Sequence, residues 1–412
     1  MRLVGRALLL SSCVATRLGA QRRIVVSPTG ALHTIAAGVA AARDGDTVVV
    51  RAGTYREPQV VVGKRIVLDG ADAPVLDGQG THGLILVTAD DVTIRGLVLR
   101  NVGTSFVEDR AAIKVEHVHG CTIDHDRVEN GFFGIYLADV TDCAITANVI
   151  HGAARRETEA GNGIHLWTSR RILIADNDVS GQRDGIYFEF VHDSDVRRNV
   201  STSNLRYGLH FMYSDGCRYV GNAFVHNGSG VAVMYTKGVE MENNRFADNW
   251  GPAAYGLLLK EISDARLDGN VFTHNTTALV ADGANRIVAT HNQFTNNGWA
   301  LRLEASTVDG RFEKNDFVAN SFDVATNSRS PSTTFAGNYW DEYRGYDLNR
   351  DGTGDVPHRP VRLFSVLVER QPASLIVMRS TFATLLDVAE RVLPSLTPDG
   401  LVDATPAMRR IP

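Results

Sequence analysis

The sequence predicts an all-β chain wound as a parallel β-helix, a solenoid whose coils repeat about every 22 residues. Two observations carry that prediction. One is a block of alternating apolar residues at GIYLADVTDCAITANVI (134), GIHLWTSRRILIADNDV (163), GIYFEFVHDSDVRRNV (185), GLHFMYSDGCRYVGNAF (208), GVAVMYTKGVEMENNRF (230), GLLLKEISDARLDGNVF (256), ALVADGANRIVATHNQF (278) and ALRLEASTVDGRFEKNDF (300), with starts 29, 22, 23, 22, 26, 22 and 22 residues apart. The other is an Asn near the end of each block, at Asn148, Asn177, Asn199, Asn222, Asn244, Asn270, Asn292 and Asn315. Units this short cannot bury an apolar face alone, so they must stack, each strand pairing in parallel with its counterpart about 4.8 Å away. Asn suits the turns because it tolerates left-handed backbone and can hydrogen-bond to the Asn above and below.

The elements follow in chain order. Residues 1–20, MRLVGRALLLSSCVATRLGA, read as a secretory signal with two arginines, a short apolar centre and a small-residue end. Cys13 lies in a stretch like a lipoprotein processing box, but the apolar run before it is too short to favour lipidation. Residues 21–57 form an N-terminal cap and first strands, with a helical pattern from Leu32 to Ala42 that covers the open end of the ladder. Residues 58–338 form the β-helix, and the block is traceable back to Ala112 and, more loosely, Gly83. Residues 339–412 hold an Asp-rich loop and a helical segment at roughly 373–393. No stretch after the signal has eighteen uninterrupted apolar residues, so contact with a membrane is expected only through partners. A net charge of −5 with no basic run excludes a nucleic-acid partner.

Alternation along each G-I-x-L strand sends the second and fourth positions inward and the third and fifth outward. The third column then runs Tyr136, His165, Tyr187, His210, Ala232, Leu258, and the fifth runs Ala138, Trp167, Glu189, Met212, Met234, Lys260. Met212 and Met234 should be stacked neighbours with His210 diagonal to Met234. Insertions at 103–111, 151–162 and 249–255 either bury this face or wall a groove floored by His165, Trp167, Tyr187, Glu189, His210, Met212 and Met234. Thioether and imidazole together select Cu(I) over hard cations, and methionine binds without losing a proton. The candidate copper ligands are therefore His210, Met212 and Met234, with Glu189, His165 and Trp167 beside them, Trp167 offering a ring face to a soft cation.

Cys121, Cys143 and Cys217 fall in one inward column. Adjacent coils would permit a disulfide between Cys121 and Cys143, but buried free thiols are the expected state, since a ladder pair need not have the required geometry. Asp347, Asn349, Asp351 and Asp355 have the oxygen spacing of a calcium loop, although His358 stands where an EF-hand carries its bidentate glutamate. A loop held by Asx hydrogen bonds is the alternative. Asp124-His125-Asp126 suggests acid/base work on a polysaccharide, yet no second carboxylate cluster aligns with it.

The strings GNGIHLW, DGIYFEFV, YGLHFMYSD, AVMYTK, YGLLLKEISD and GNYWDEYRGYDLNRDGTGDVP resemble the NosD family of periplasmic nitrous oxide reductase maturation proteins, and PASLIVMRSTFATLLDVAERVLPSLTP resembles its ending. The resemblance implies a right-handed parallel β-helix, not an enzyme, that works with an ABC permease and its ATPase to help assemble the copper-sulfide cluster of the reductase. It further implies docking surfaces for the permease, a copper donor chaperone and the reductase. Leu375, Ile376, Leu385, Leu386, Val388 and Val392 form the candidate permease dock, or else a cap on the last coil. Arg379 and Asp387 interrupt that segment, so it cannot cross a bilayer. The rival readings are a carbohydrate lyase or epimerase, and a docking scaffold that never touches metal. Paired carboxylates, or a Lys or Arg beside a carboxylate, along one outer column would mark the enzyme; Glu189 and Lys260 do not adjoin.

Overall fold

The structure, a computed structural model, describes residues 21–328, 332–378, 380–392 and 401–411. The expected signal segment with Cys13, and Arg379 further on, lie outside the described residues. A typical coil carries three short strands, as in Tyr207–Met212, Arg218–Val220 and Ala223–Val225, each paired in parallel with the next coil. The first and second strands of the coils join one 24-stranded sheet, and the third strands form a 13-stranded sheet. The result is a parallel β-helix.

Coils begin earlier than the repeat suggested, because Arg23–Val26 already pairs with Thr47–Val50. Helix α1 (Ile35–Ala41) lies between these strands and is shorter than the helical pattern. Thr34 caps it by accepting from the Ala37 amide, and the Glu57 carboxylate accepts from the amides of Ile35 and Ala36, so its free donors are satisfied.

Inside the solenoid, identical side chains sit on one another. Phe224, Phe246, Phe272, Phe294, Phe317 and Trp340 form a continuous buried stack with ring centroids 4.1 to 5.6 Å apart. The Asn column forms as expected: each Asn amide N–H and Nδ2 of one coil donates to Oδ1 of the next, both at 2.9 Å for Asn222 onto Asn244. The backbone reason differs from the expectation. The left-handed residue is the one before the ladder position, as at Asp176, Arg198, Asn243 and Lys314 with φ of 53° to 60°, whereas the ladder Asn turns its amide inward to bond. A second ladder, from Gln182 through Asn204, Asn227, Asn249, Asn275 and Asn297 to Asn320, runs parallel to the first and was not anticipated.

Cys121 and Cys143 form a disulfide, which corrects the expectation of free thiols. They are register partners in adjacent coils with Cα atoms 4.5 Å apart, inside the bridging range, and both point into the core. Cys217 remains a buried thiol whose pKa burial pushes up to about 11.

The first ladder begins with a carboxylate. Asp126 is buried, accepts from the Leu97 amide at 2.8 Å and donates its own amide to Asn148 Oδ1, while its Oδ2 has no partner among the described residues. Burial lifts its pKa to about 8, so the fold favours the protonated acid. The sign follows: this contribution is fully present below the unfolded value near pH 4 and is lost as pH rises through about 8. Asp126→Asn, which adds an Nδ2 donor at the head of the ladder, should melt about 2 °C higher at pH 7.5 and flatten the stability slope between pH 5 and 8. Thermal melts across that range check it; an Asn variant less stable than the parent at pH 7.5 counts against the account.

The far end closes with residues 401–411, which bridge to the last coil at Phe335–Asp403 and Tyr339–Ala407. Asp403 takes the next ladder position, accepting from the amide and Nδ2 of Asn338 and from Trp340 Nε1. Helices α2 (Leu363–Arg370) and α3 (Thr381–Val392), with a 3-10 turn at Pro372–Val377 between them, belong elsewhere. They lie on the outer face of the last coils, where Phe364, Val368 and Ala383 pack with Phe322 and Trp299, and Arg302 pairs with Glu369. The helical segment thus starts about ten residues before the expected 373.

Candidate functional site

Close packing of the coils sets the columns of the first face. Glycine opens the blocks at 134, 163, 185, 208, 230 and 256: a Cβ on Gly208 would stand 2.9 Å from the Gly230 carbonyl, so a side chain there would push adjacent coils apart. With register held, Met212 lies directly opposite Met234, Glu189 opposite Met212, and Lys260 beyond Met234. Both thioethers are half-buried and reachable from solvent.

The third column is not a groove floor. Tyr136, Tyr187 and His210 are buried and His165 is half-buried, because their rings pack against one another and beneath the insertions. Tyr136 stacks on His165 at 4.4 Å, His165 meets Tyr187 at 4.7 Å, and Tyr187 meets His210 edge-on at 5.1 Å. Phe106 of the first insertion contacts Phe132, and Gly251 of the third is tied to Thr276.

His165 is therefore a packing residue. Its Nδ1 is 2.9 Å from Asn162 Nδ2, and burial holds its pKa down near 3, so it is neutral. It stands two coils from His210. Trp167 likewise stands two coils from Met212, separated by Glu189, and is 43% exposed, so its ring flanks Glu189 rather than the thioether pair. Glu189 accepts from the Tyr187 hydroxyl. Of the expected ligands, His210, Met212 and Met234 stay together, with Glu189 opposite Met212, while His165 and Trp167 stand two coils away.

His210 differs from His165 in its partners. It is only 7% exposed, yet neither ring nitrogen has a hydrogen-bond partner among the described residues. Unpaired polar atoms at such depth cost stability unless something else engages them. The nearest acceptor is Asp184, whose Oδ2 lies 3.7 Å from Nδ1. Burial alone would raise the Asp184 pKa, but the nearby His210 imidazole, the Arg206 hydrogen bonds and the Arg206 charge bring it below the ordinary value. Tyr207 leans over the imidazole at 4.8 Å, Tyr255 stacks on Tyr207, and Arg206 lies over the Tyr207 ring. Sequence reasoning missed Asp184, Tyr207 and Tyr255. The signal was present, since each immediately precedes the glycine that opens its block.

The remaining candidates separate. In the Asp-rich loop, Asp347 accepts from the amides of Asp351 and Gly352, Asn349 Oδ1 from Asp351, Asp351 from Thr353, and Asp355 from Leu348. These Asx bonds account for the loop's shape without a cation. His358 is turned from it, packed on Trp340, with its pKa lowered by burial to about 4. Asp124 binds His125 at the surface while Asp126 points into the core, so the acid/base constellation is split. Carboxylate and cation do adjoin on outer columns, at Lys260 opposite Asp282 and at Glu240 between Arg218 and Arg266. Glu240 there accepts from Arg218 at 3.0 Å as a cross-coil ion pair. Among the described residues no three His, Cys, Asp or Glu come together as a metal site. Beside His210 stand methionines instead, Met212 two residues along the same strand and Met234 opposite Met212 in the next coil.

Residues 150–345 match the family described as "Periplasmic copper-binding protein (NosD)". A protein of Pseudomonas aeruginosa named "Probable ABC transporter binding protein NosD" is 30% identical over 81% of this chain and 82% of its own length. The chain belongs to the NosD family. A Stutzerimonas stutzeri protein of the same name is 26% identical over 87% of this chain and 86% of its own length. The NosD repeats are similar in fold to an alginate lyase, at 14% identity and a TM-score of 0.60 over 77% of this chain and 85% of the other. They also resemble the A-module of a mannuronan C-5 epimerase of Azotobacter vinelandii, at 18% identity and a TM-score of 0.51 over 74% and 88%. At such identities these two likenesses speak for the parallel β-helix alone. NosD proteins are described as periplasmic, and among the described residues no helix is long and apolar enough to cross a membrane.

Proposed function

We propose that this chain is a periplasmic assembly factor, not an enzyme, that takes up copper as Cu(I) and passes it on for the copper-sulfide centre of nitrous oxide reductase. The observation that carries this reading is the in-register pair Met212 and Met234, both reachable, beside a buried imidazole with two unpartnered nitrogens. Two thioethers and one imidazole form a soft, uncharged donor set that prefers Cu(I). Such a set holds the ion as exchangeable cargo, which suits delivery from a copper donor chaperone and release to the reductase. An anaerobic Cu(I) titration against a chromophoric chelator tests it: one copper per chain is expected, and no uptake sinks the carrier role in favour of a docking scaffold.

The same outer face carries the candidate dock for an ABC permease and its ATPase. Leu386 and Ala383 of α3 pack inward with Phe322 and α2, while Ile376, Leu385 and Val392 are 88%, 66% and 72% exposed. The segment is therefore a cap on its inner side and bare apolar surface on its outer side. Arg302, against which α2 is tied, lies four coils from His210, about 19 Å along the solenoid. Leu385→Glu with Val388→Glu should abolish co-purification with the permease while leaving the melting midpoint unchanged, since both side chains are exposed. Undiminished co-purification would assign the dock to another surface.

A further inference from the structure

Asp184 is an unusual residue to find beneath the insertions. Its side chain is fully buried, and it occupies the position where neighbouring coils place Asn162 and Tyr207. Arg206 grips it in two bonds, Nε to Oδ1 at 2.9 Å and Nη2 to Oδ2 at 2.5 Å, a fork that leaves the carboxylate no freedom to rotate. Arg206 is itself steadied by the Tyr207 ring at 5.1 Å. Of the two carboxylate oxygens, Oδ2 is the one turned toward Nδ1 of His210, at 3.7 Å. The imidazole is wedged between Tyr187 and Tyr207.

An ionised acceptor fixed on the Nδ1 side favours the imidazole tautomer with its hydrogen on Nδ1. The lone pair then resides on Nε2, the nitrogen away from the carboxylate. His210 and Met212 are two residues apart on one strand and face the same side, while Met234 lies one coil along. Their backbone positions are about 5 to 8 Å apart, a span that these long side chains close onto a single ion.

We infer that Asp184, locked by Arg206, is a positioning residue that holds His210 in the Nδ1–H tautomer and presents Nε2 to the soft metal. This rests on the copper-carrier reading for its purpose, but the tautomer is measurable without copper. Carboxylate–histidine–metal arrangements tune affinity by about 10- to 100-fold.

The test uses the exported chain. Long-range nitrogen–proton correlation spectra of histidine-labelled, metal-free protein at pH 7.5 give the tautomer of His210, assigned through the signals lost in His210→Gln. The wild type is expected to show hydrogen on Nδ1 and a bare Nε2. Asp184→Asn alone strands a partly buried guanidinium, so it is paired with Arg206→Gln to keep the pocket neutral. In that folded double variant the tautomer should shift toward Nε2–H, and Cu(I) affinity by chelator competition should fall about 10- to 100-fold. A wild-type ring carrying hydrogen on Nε2 or on both nitrogens overturns the inference, whether or not the double variant folds. So does an unchanged tautomer and affinity in a folded double variant. The expected tautomer in a chain that binds no Cu(I) removes the carrier role and leaves the Asp184–His210 assignment standing.

Discussion

Met212→Leu combined with Met234→Leu is expected to lower Cu(I) affinity by on the order of a hundredfold or more, since it removes two of three donors where losing an outer-shell partner alone costs about 10- to 100-fold. Leucine keeps the volume and apolar character of methionine, and such swaps cost less than about 1.5 kcal/mol even in a packed core. Both positions are half-buried, so the effect on folding should be smaller still. Met241→Leu is the control: Met241 is fully buried inside the solenoid and cannot meet an incoming ion. Chelator competition should therefore separate the outer pair from Met241 while all three proteins melt alike. Equal affinity in the double variant and the parent would place the copper elsewhere on the chain.

Asp403→Ala should destabilise the chain more than any surface change. Asp403 is fully buried and accepts from the amides of Gly337, Asn338 and Thr405, from Asn338 Nδ2 and from Trp340 Nε1. Alanine strands these donors at the end of the ladder, where each unsatisfied buried group costs about 1–3 kcal/mol before the site relaxes or admits water. A loss of roughly 3–5 kcal/mol is expected, together with faster proteolysis of residues 401–411, which this side chain and the backbone bridges of Asp403 and Ala407 hold to the last coil. Denaturant unfolding and limited proteolysis measure both. A variant that unfolds with the parent and keeps its tail protected would show that the ladder does not depend on its terminal acceptor.

The two experiments probe parts of the molecule that were legible to different degrees. The coil repeat, the parallel stacking, the first Asn ladder and the Met212–Met234 pairing follow from spacing, because a register of one coil per repeat leaves each column only one arrangement. The second ladder was equally written, as an Asn five residues after the first at Asn199 and Asn204 or Asn222 and Asn227, but it lay past the end of the aligned blocks. The closing role of Asp403 was not legible. It sits 65 residues beyond Asn338, outside any repeat, and only the return of the chain brings it into the ladder.

By itself, the sequence determined which residues share a column and which face of the strand each column takes, since a two-residue alternation and a 22-residue period allow no other choice. Tertiary structure decided which outward residues stay outside. His165 and His210 occupy equivalent places, yet one nitrogen of His165 meets Asn162 while neither nitrogen of His210 has a partner among the described residues, its ring held between Tyr187 and Tyr207 with Nδ1 turned toward Asp184. Likewise Cys121 and Cys143 share an inward column by sequence, but their bond depends on the approach of adjacent coils. Burial and partnership are set by what other parts of the chain bring to a column, and no local spacing encodes that.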